Sequence, residues 1–345
     1  MINMDWKGRY DLVKRNTEEI LTDRELEDLL KSKKQPSAYI GMAATGRVHM
    51  GYFIPAVKIA DFLKAGFRFR VLLADIHAHL DDQKAPWELL DWRVKYYKEA
   101  ITGLLESIGV DQSRLEFIRG SDFELEEKYT LDMYRLSALN TFSRCKRAAS
   151  EVVRFGDEPK LSGFIYPILQ ALDEEYLKVD VQYGGHDQRK ILAFARENLP
   201  RLGYRKRVEV MTPMLPGLSG GKMSSSEEKG KIDLLDTEED VKKKINAAYC
   251  VAGSMENNGV MAFLKYVVMT LKEDGKSGFM IERPAKFGGD VSYATYHELQ
   301  NDFMEKKIHP MDVKNALAAE VNRMLEPVRK RFKGREKLLE KAYPQ

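Results

Sequence analysis

Apolar positions follow two different periods along the first half of the chain. Residues 37–42 (SAYIGM) form a short apolar run of strand length. Residues 69–74 (FRVLLA) form another, without polar alternation, as expected of a strand buried on both faces. Between them, residues 50–64 carry apolar side chains at helical spacing, with Gly66 just past the end as a stop signal. Residues 87–108 predict a long amphipathic helix opened by Pro86 and closed by Gly109, and residues 115–118 a third strand. Strand, helix, strand, helix, strand predicts a parallel sheet with crossover helices. From 123 to 154 the period turns helical, which reads as an insertion over about 123–160. The alternation resumes with a helix at 162–177, a strand at 179–184 and a helix at 187–199. Beyond Asp236 the pattern is mostly helical, with segments at 237–249, 259–272, 293–305 and 312–325. An α/β unit over 1–235 and a mainly α-helical unit over 236–345 are therefore expected.

Composition supports this division. A chain of 345 residues, 43% of them hydrophobic, is too long for one small core. No apolar run approaches the ~18 to 20 residues needed to span a bilayer, so no membrane association is expected. The start, charged early at Asp5 and Lys7, predicts no signal peptide. Two cysteines, Cys145 and Cys250, read as reduced and buried, which suits a cytoplasmic setting. The net charge of +3 is mild, but its distribution is uneven. Arg144, Lys146, Arg147 and Arg154 cluster, as do Lys242, Lys243 and Lys244, and residues 329–341 form a third basic stretch. Any one cluster reads as a solvated helix face. Three together favour a polyanionic partner, because Lys and Arg neutralising phosphates supply most non-specific nucleic-acid affinity.

Two segments carry candidate phosphate chemistry. Ala43-Ala44-Thr45-Gly46-Arg47-Val48-His49-Met50-Gly51-Tyr52 follows the first strand and enters a helix, whose N-terminus suits phosphate. Gly46 permits a tight turn, Gly51 leaves a flat patch for a base, and His49 is a donor toward a phosphate oxygen. Gly220-Gly221-Lys222-Met223-Ser224-Ser225-Ser226 is a polar, phosphate-seeking loop without the spacing of a Walker loop. An ordinary strand-to-helix connection and a flexible surface loop remain the plain alternatives. A third segment, Tyr166-Pro167-Ile168-Leu169-Gln170-Ala171-Leu172-Asp173, sets Tyr166, Gln170 and Asp173 on one face of an otherwise apolar helix.

Taken together, the first two segments resemble the HIGH and KMSKS signatures of class I aminoacyl-tRNA synthetases. Tyr52 replaces the second histidine and Ser225 the second lysine, a pattern similar to that of archaeal and eukaryotic cytosolic tyrosyl-tRNA synthetases. The resemblance extends over nearly the whole chain, through SAYIG, KAPWELL, KIDLLD and HPMD. It implies a Rossmann-like catalytic domain, a helical insertion and a helical anticodon-binding domain. It implies activation of L-tyrosine by ATP with Mg²⁺ bound through the ATP, then transfer to tRNA(Tyr), by a homodimer built through the insertion. Residues His49, Lys222 and Ser224 would be catalytic, and no metal would be held by the protein itself. The amino acid would meet Tyr39, Leu72, His77, Tyr166, Gln170, Asp173 and Gln188, with Tyr39 and Asp173 on the phenol hydroxyl. ATP would meet Gly46, His49, Gly51, Gly185, Asp187, Lys222 and Met223, with a monovalent cation as a further candidate near the serine loop. Transfer RNA would meet Arg147 and Arg189 at the acceptor stem, and Phe287, His309, Pro310, Met311 and Asp312 at the anticodon. Eukaryotic members carry an extra module after a segment like Ala342-Tyr343-Pro344. The residues themselves leave other readings open. His77 and His79 also suit a metal pair, Asp312 also suits helix opening, and tryptophan activation, a non-catalytic RNA-binding paralogue or a related nucleotidyltransferase would use the same fold.

Overall fold

A computed structural model describes residues 4–220 and 231–344. The chain begins with α1 (Trp6–Lys14), a short β1 (Glu19–Leu21) and α2 (Asp23–Ser32). Thr22 and Glu25 form a reciprocal capping box at the start of α2. The predicted alternation follows as β2 (Ser37–Ala43), α3 (Phe53–Lys64), β3 (Arg68–Ala74), α4 (Asp75–Leu80), α5 (Leu90–Ser107) and β4 (Leu115–Arg119). The insertion holds α6 (Glu127–Leu139) and α7 (Phe142–Ala149). Then come α8 (Ser162–Tyr176), β5 (Val181–Gly185), α9 (Arg189–Asn198) and β6 (Val208–Thr212).

The six strands form one sheet in the order β1-β6-β5-β2-β3-β4, parallel except for β1. The chain builds outward from β2 through β3 to β4, then crosses back to place β5 on the other side of β2. The strand order therefore reverses between β2 and β5. In an open α/β sheet the crevice beyond the carboxyl ends at such a switch point is where ligands bind. β1 and β6 were not anticipated from the sequence. β1 has three residues, and β6 reads VEVMT with an apparently solvent-facing Glu209, yet all five of its residues are buried.

The second half comprises α10 (Glu238–Asn246), α11 (Gly259–Phe263), a π-helical stretch Leu264–Met269, α12 (Thr270–Asp274), a hairpin of β7 (Phe279–Ile281) and β8 (Val291–Tyr293), α13 (Tyr296–Met304), α14 (Pro310–Phe332) and α15 (Glu336–Ala342). Three expectations change here. Tyr293 ends a strand, and α13 starts only after the Thr295/Glu298 capping box. Helix α14 opens at Pro310 with His309 as its cap, so Asp312 lies inside the first turn. It also runs on through Pro327, where the sequence suggests a stop. Its far end is held against α5. Val328 and Phe332 are buried, and at Gly103 of α5 an added Cβ would lie 3.3 Å from Arg331 and 3.4 Å from Val328. Apolar burial of that size offsets one lost backbone hydrogen bond.

One charged cluster joins the early helices to the later ones. Asp61 of α3 is fully buried and pairs with Lys58 at 3.1 Å and with Arg15. Arg15 also reaches Asp274 at 2.6 Å. Burial raises the Asp274 pKa, but Arg15 and Lys64 outweigh it and hold the carboxyl down at about 2. Removing one member of such a buried network leaves its partner uncompensated. Asp61→Ala is expected to cost ~3 to 5 kcal/mol, read as a lower urea midpoint with an unchanged slope.

Candidate active site

The cavity of about 1090 Å³ opens at the switch point, lined by β2 residues Tyr39 to Ala43 and β5 residues Gln182 to Gly185. Its deep end is closed by α8, which presents Tyr166, Gln170 and Asp173 on one face. Tyr39 is fully buried on β2, and its hydroxyl lies 3.4 Å from the Gln170 carbonyl. Burial first, then the neighbouring Asp173, pushes the Tyr39 phenol pKa well up, so it stays neutral. Leu72 of β3 packs beside Tyr39, and the Tyr166 ring meets His77 edge-on at 4.8 Å.

Asp173 has no exposed surface. Its Oδ1 accepts from the Tyr129 hydroxyl at 2.9 Å, whereas Oδ2 has no hydrogen-bond partner among the described residues. Burial and the nearby Glu124 raise its pKa well above the ordinary carboxylate range. Tyr129 of α6 and Glu124, in the turn ahead of α6, both come from the insertion, and no spacing in the sequence links them to Asp173. Farther out, Gln170 Nε2 donates to Gln188 Oε1 at 3.2 Å, joining α8 to the start of α9. Gly185 serves Asp187, since an added Cβ would lie 2.5 Å from Asp187 Oδ1.

The other end of the cavity is built around His49. Its Nδ1 accepts the Gly51 N–H at 3.2 Å, which caps the short turn Met50–Tyr52. Burial, then Lys231, pushes the His49 pKa down to about 4, so the ring is neutral near pH 7. With Nδ1 accepting, the single ring proton belongs on Nε2 as a donor. Residues 231–234 return beside this segment: Met50 N–H donates to the Ile232 carbonyl at 2.8 Å, and His49 bridges to Asp233. Lys231, not anticipated from the sequence, lines the cavity here. Gly46 differs from expectation. It has no left-handed backbone and nothing within 4 Å of an added Cβ, so no steric demand for glycine exists there. Its carbonyl instead accepts from Tyr97 at 2.8 Å and Tyr343 at 2.6 Å, while Arg93 Nη1 reaches the Thr45 carbonyl at 2.6 Å. Lys222, Met223 and Ser224, and with them the cation proposed near their loop, lie outside the described residues.

The remaining candidates separate. His79 does not join His77, because its Nδ1 faces the Ala85 carbonyl and its ring stacks on Trp87 at 4.0 Å. Arg147 is exposed on α7, and Lys146 and Arg154 line the cavity mouth. Arg189 is held by Glu19 in a two-point ion pair, at 2.5 and 2.9 Å. At the far end of the chain Phe287 is 59% exposed. Its loop adjoins the His309 turn through Arg283, which donates to the Lys307 carbonyl at 3.3 Å. His309 Nδ1 accepts the Met311 N–H at 3.1 Å, with Pro310 at the first helical position and Asp312 two residues on. Cys145 is buried and Cys250 half-buried, both as free thiols. Among the described residues no helix is long and apolar enough to cross a membrane.

Comparison with known proteins gives these features a context. A family model described as tRNA synthetases class I (W and Y) matches residues 31–326. The cytoplasmic tyrosine--tRNA ligase of Gallus gallus is 52% identical over 97% of this chain and 63% of its own length. The tyrosine--tRNA ligase of Haloarcula marismortui is 47% identical over 99% of both chains. The crystal structure of the Archaeoglobus fulgidus tyrosyl-tRNA synthetase complexed with L-tyrosine superposes with a TM-score of 0.89 at 42% identity, covering 95% of this chain and 99% of that one. The chain thus spans about 63% of the vertebrate relative and 99% of the archaeal one. With the switch-point cavity, its neutral histidine and the buried carboxyl on α8, these matches establish that the chain belongs to the class I tRNA synthetases for tryptophan and tyrosine, within their tyrosine--tRNA ligase group.

Proposed function

We propose that this chain activates L-tyrosine with ATP and transfers the tyrosyl group to tRNA(Tyr). The observation that carries this reading is Asp173 Oδ2, a buried acceptor without a partner at the closed end of the cavity. A phenol hydroxyl supplies the missing donor, and the neutral Tyr39 hydroxyl stands on the same wall. Leu72, His77 and Tyr166 then surround the ring, while Gln170 and Gln188 meet the ammonium and carboxylate ends. The substrate carboxylate attacks the ATP α-phosphorus, a new C–O–P linkage forms, and pyrophosphate leaves. No general base is required, because the nucleophile is already an anion. Catalysis is positioning and charge stabilisation. The neutral His49 donates Nε2–H to a phosphate oxygen, Gly51 leaves room for the base, and Gly185 lets Asp187 approach the ribose. Lys222, Met223 and Ser224 are assigned to the phosphates by resemblance. Mg²⁺ arrives with the ATP and supplies charge neutralisation on the pyrophosphate side. A tRNA ribose hydroxyl next takes the tyrosyl group, releasing AMP.

The remaining assignments belong to the same proposal. Arg147, with Lys146 and Arg154 at the cavity mouth, suits an acceptor stem, and Arg189 would have to leave or share Glu19 to join it. Phe287, His309, Pro310, Met311 and Asp312 suit unpaired anticodon bases. The unit boundary near 235 separates these two tasks, and contacts such as Phe53 on Phe263 dock one unit on the other. Exposed Leu131, Tyr134 and Phe142 on the insertion helices suit a homodimer contact.

Three outcomes test these roles. Asp173→Ala is expected to lower tyrosine-dependent ATP–pyrophosphate exchange at least ~100-fold, by loss of a hydrogen bond to a charged or strongly polar group, with an unchanged circular dichroism spectrum. Full activity in that variant would remove the site. Gly185→Ala should raise KM for ATP and leave KM for tyrosine in place, since its Cβ collides with Asp187 alone among the assigned residues. Phe287→Ala should raise KM for tRNA roughly tenfold, the value of one lost base stack, with pyrophosphate exchange untouched.

A further inference from the structure

Three ionisable side chains meet at the closed end of the cavity, and the reading above gives a direct role to only part of the set. Glu124 stands ahead of α6, His77 lies on α4 and Asp173 on α8, with exposures of 4%, 2% and 0%. Glu124 Oε1 is 3.5 Å from His77 Nδ1, and His77 Nε2 is 3.7 Å from Asp173 Oδ2. Both Glu124 oxygens, both His77 nitrogens and Asp173 Oδ2 have no hydrogen-bond partner among the described residues. The backbone brings Glu124 in closely: its N–H donates to the Gly120 carbonyl at 2.9 Å, and a Cβ at Gly120 would lie 2.4 Å from Glu124 Oε1.

Two carboxylates in one dry space repel each other unless a positive charge lies between them. The imidazole is the group between them. We infer that Glu124 is a positioning residue for substrate recognition, acting through His77 to keep a proton on the imidazole and so favour the ionised, hydrogen-bond-accepting form of Asp173 toward the phenol hydroxyl. This inference rests on the assignment of the cavity to tyrosine.

Among the described residues the other ionisable groups near His77 contribute less. Asp75, on its own helix, is taken up by Arg119 at 2.5 Å and by the Ser121 hydroxyl at 2.7 Å. Tyr166 from α8, Tyr129 from α6 and Tyr39 from β2 all have phenol pKa values raised by burial, so they remain neutral. Burial by itself would lower the His77 pKa. Glu124 and then Asp173 outweigh it, and the ring is pushed up to about 9. The imidazolium therefore persists through neutral pH, and its charge is lost as pH rises through about 9. Above that point Glu124 and Asp173 face each other without it, and tyrosine should bind less well.

The test is the pH dependence of KM for tyrosine in ATP–pyrophosphate exchange, from about pH 6 to 10, for the wild-type chain, Glu124→Gln, His77→Gln and the double variant. Glu124→Gln should move the alkaline rise in KM to lower pH by ~1 unit. His77→Gln should abolish the part of the rise that depends on Glu124, so that the double variant matches it. The substrate's own ammonium titrates in the same range but is common to all four proteins. An unmoved rise in Glu124→Gln, or an equal shift in the His77→Gln background, would overturn the inference. NMR of isotope-labelled histidine in the wild-type chain supplies a readout that does not depend on any variant folding: His77 should still be protonated at about pH 8. A neutral ring at pH 7, or an equimolar bound metal ion in the purified protein, would also overturn it. Absence of tyrosine-dependent exchange in the wild-type chain at every pH would instead remove the functional reading on which the inference depends.

Discussion

A buried carboxyl group with an unused oxygen is costly to maintain, and Asp173 is such a group. Desolvating a carboxylate costs several kcal/mol unless partners replace the lost water. Here Tyr129 supplies one hydrogen bond and the His77 ring a compensating charge, while one oxygen faces the cavity. Much of the surrounding architecture serves to hold that arrangement. The insertion contributes Tyr129, α8 contributes the carboxyl, and β2 contributes Tyr39 from the strand beside which the sheet order reverses. A site that must accept a hydroxyl can hold such an oxygen. A site for an unsubstituted ring would leave it unpaired and would gain nothing from it.

The opposite end of the cavity obeys a different requirement. Phosphates need donors fixed before they arrive, because preorganised donors cost no rearrangement during the reaction. The backbone around Gly46 and His49 is accordingly fastened from outside. The Val48 N–H donates to the Tyr96 hydroxyl at 3.1 Å, Tyr97 and Tyr343 donate to the Gly46 carbonyl, and Arg93 to that of Thr45. Arg93 in turn stacks on Tyr343, 4.7 Å from its ring centre. The residues nearest the end of the described chain thus help to set the loop proposed to meet the phosphates.

Much of the fold was legible in the sequence, and the reasons for the exceptions are physical. FRVLLA has no polar alternation, Arg70 being its one polar residue, so β3 could be read as buried on both faces. β6 carries Glu209, and only the tertiary structure shows that this side chain is buried. Pro327 is a helix breaker locally, yet packing on α5 carries α14 past it. In the site, Tyr166, Gln170 and Asp173 share a helical face and could be grouped by spacing alone. Glu124 and Tyr129 could not, since they reach Asp173 only when the insertion folds over α8. Gly46 was given a conformational role by its type, whereas its carbonyl makes the contacts. Arg189 looked available for RNA, but its ion pair with Glu19 joins residues 170 positions apart.

The central claim is that the cavity reads a phenol hydroxyl through Asp173 and Tyr39. Calorimetric titration of the wild-type chain with L-tyrosine and with L-phenylalanine, without ATP, measures that reading separately from catalysis. The account predicts saturable binding of tyrosine and binding of phenylalanine weaker by roughly 100-fold, the cost of leaving the buried Asp173 oxygen unpaired. Equal affinities for the two amino acids would contradict it.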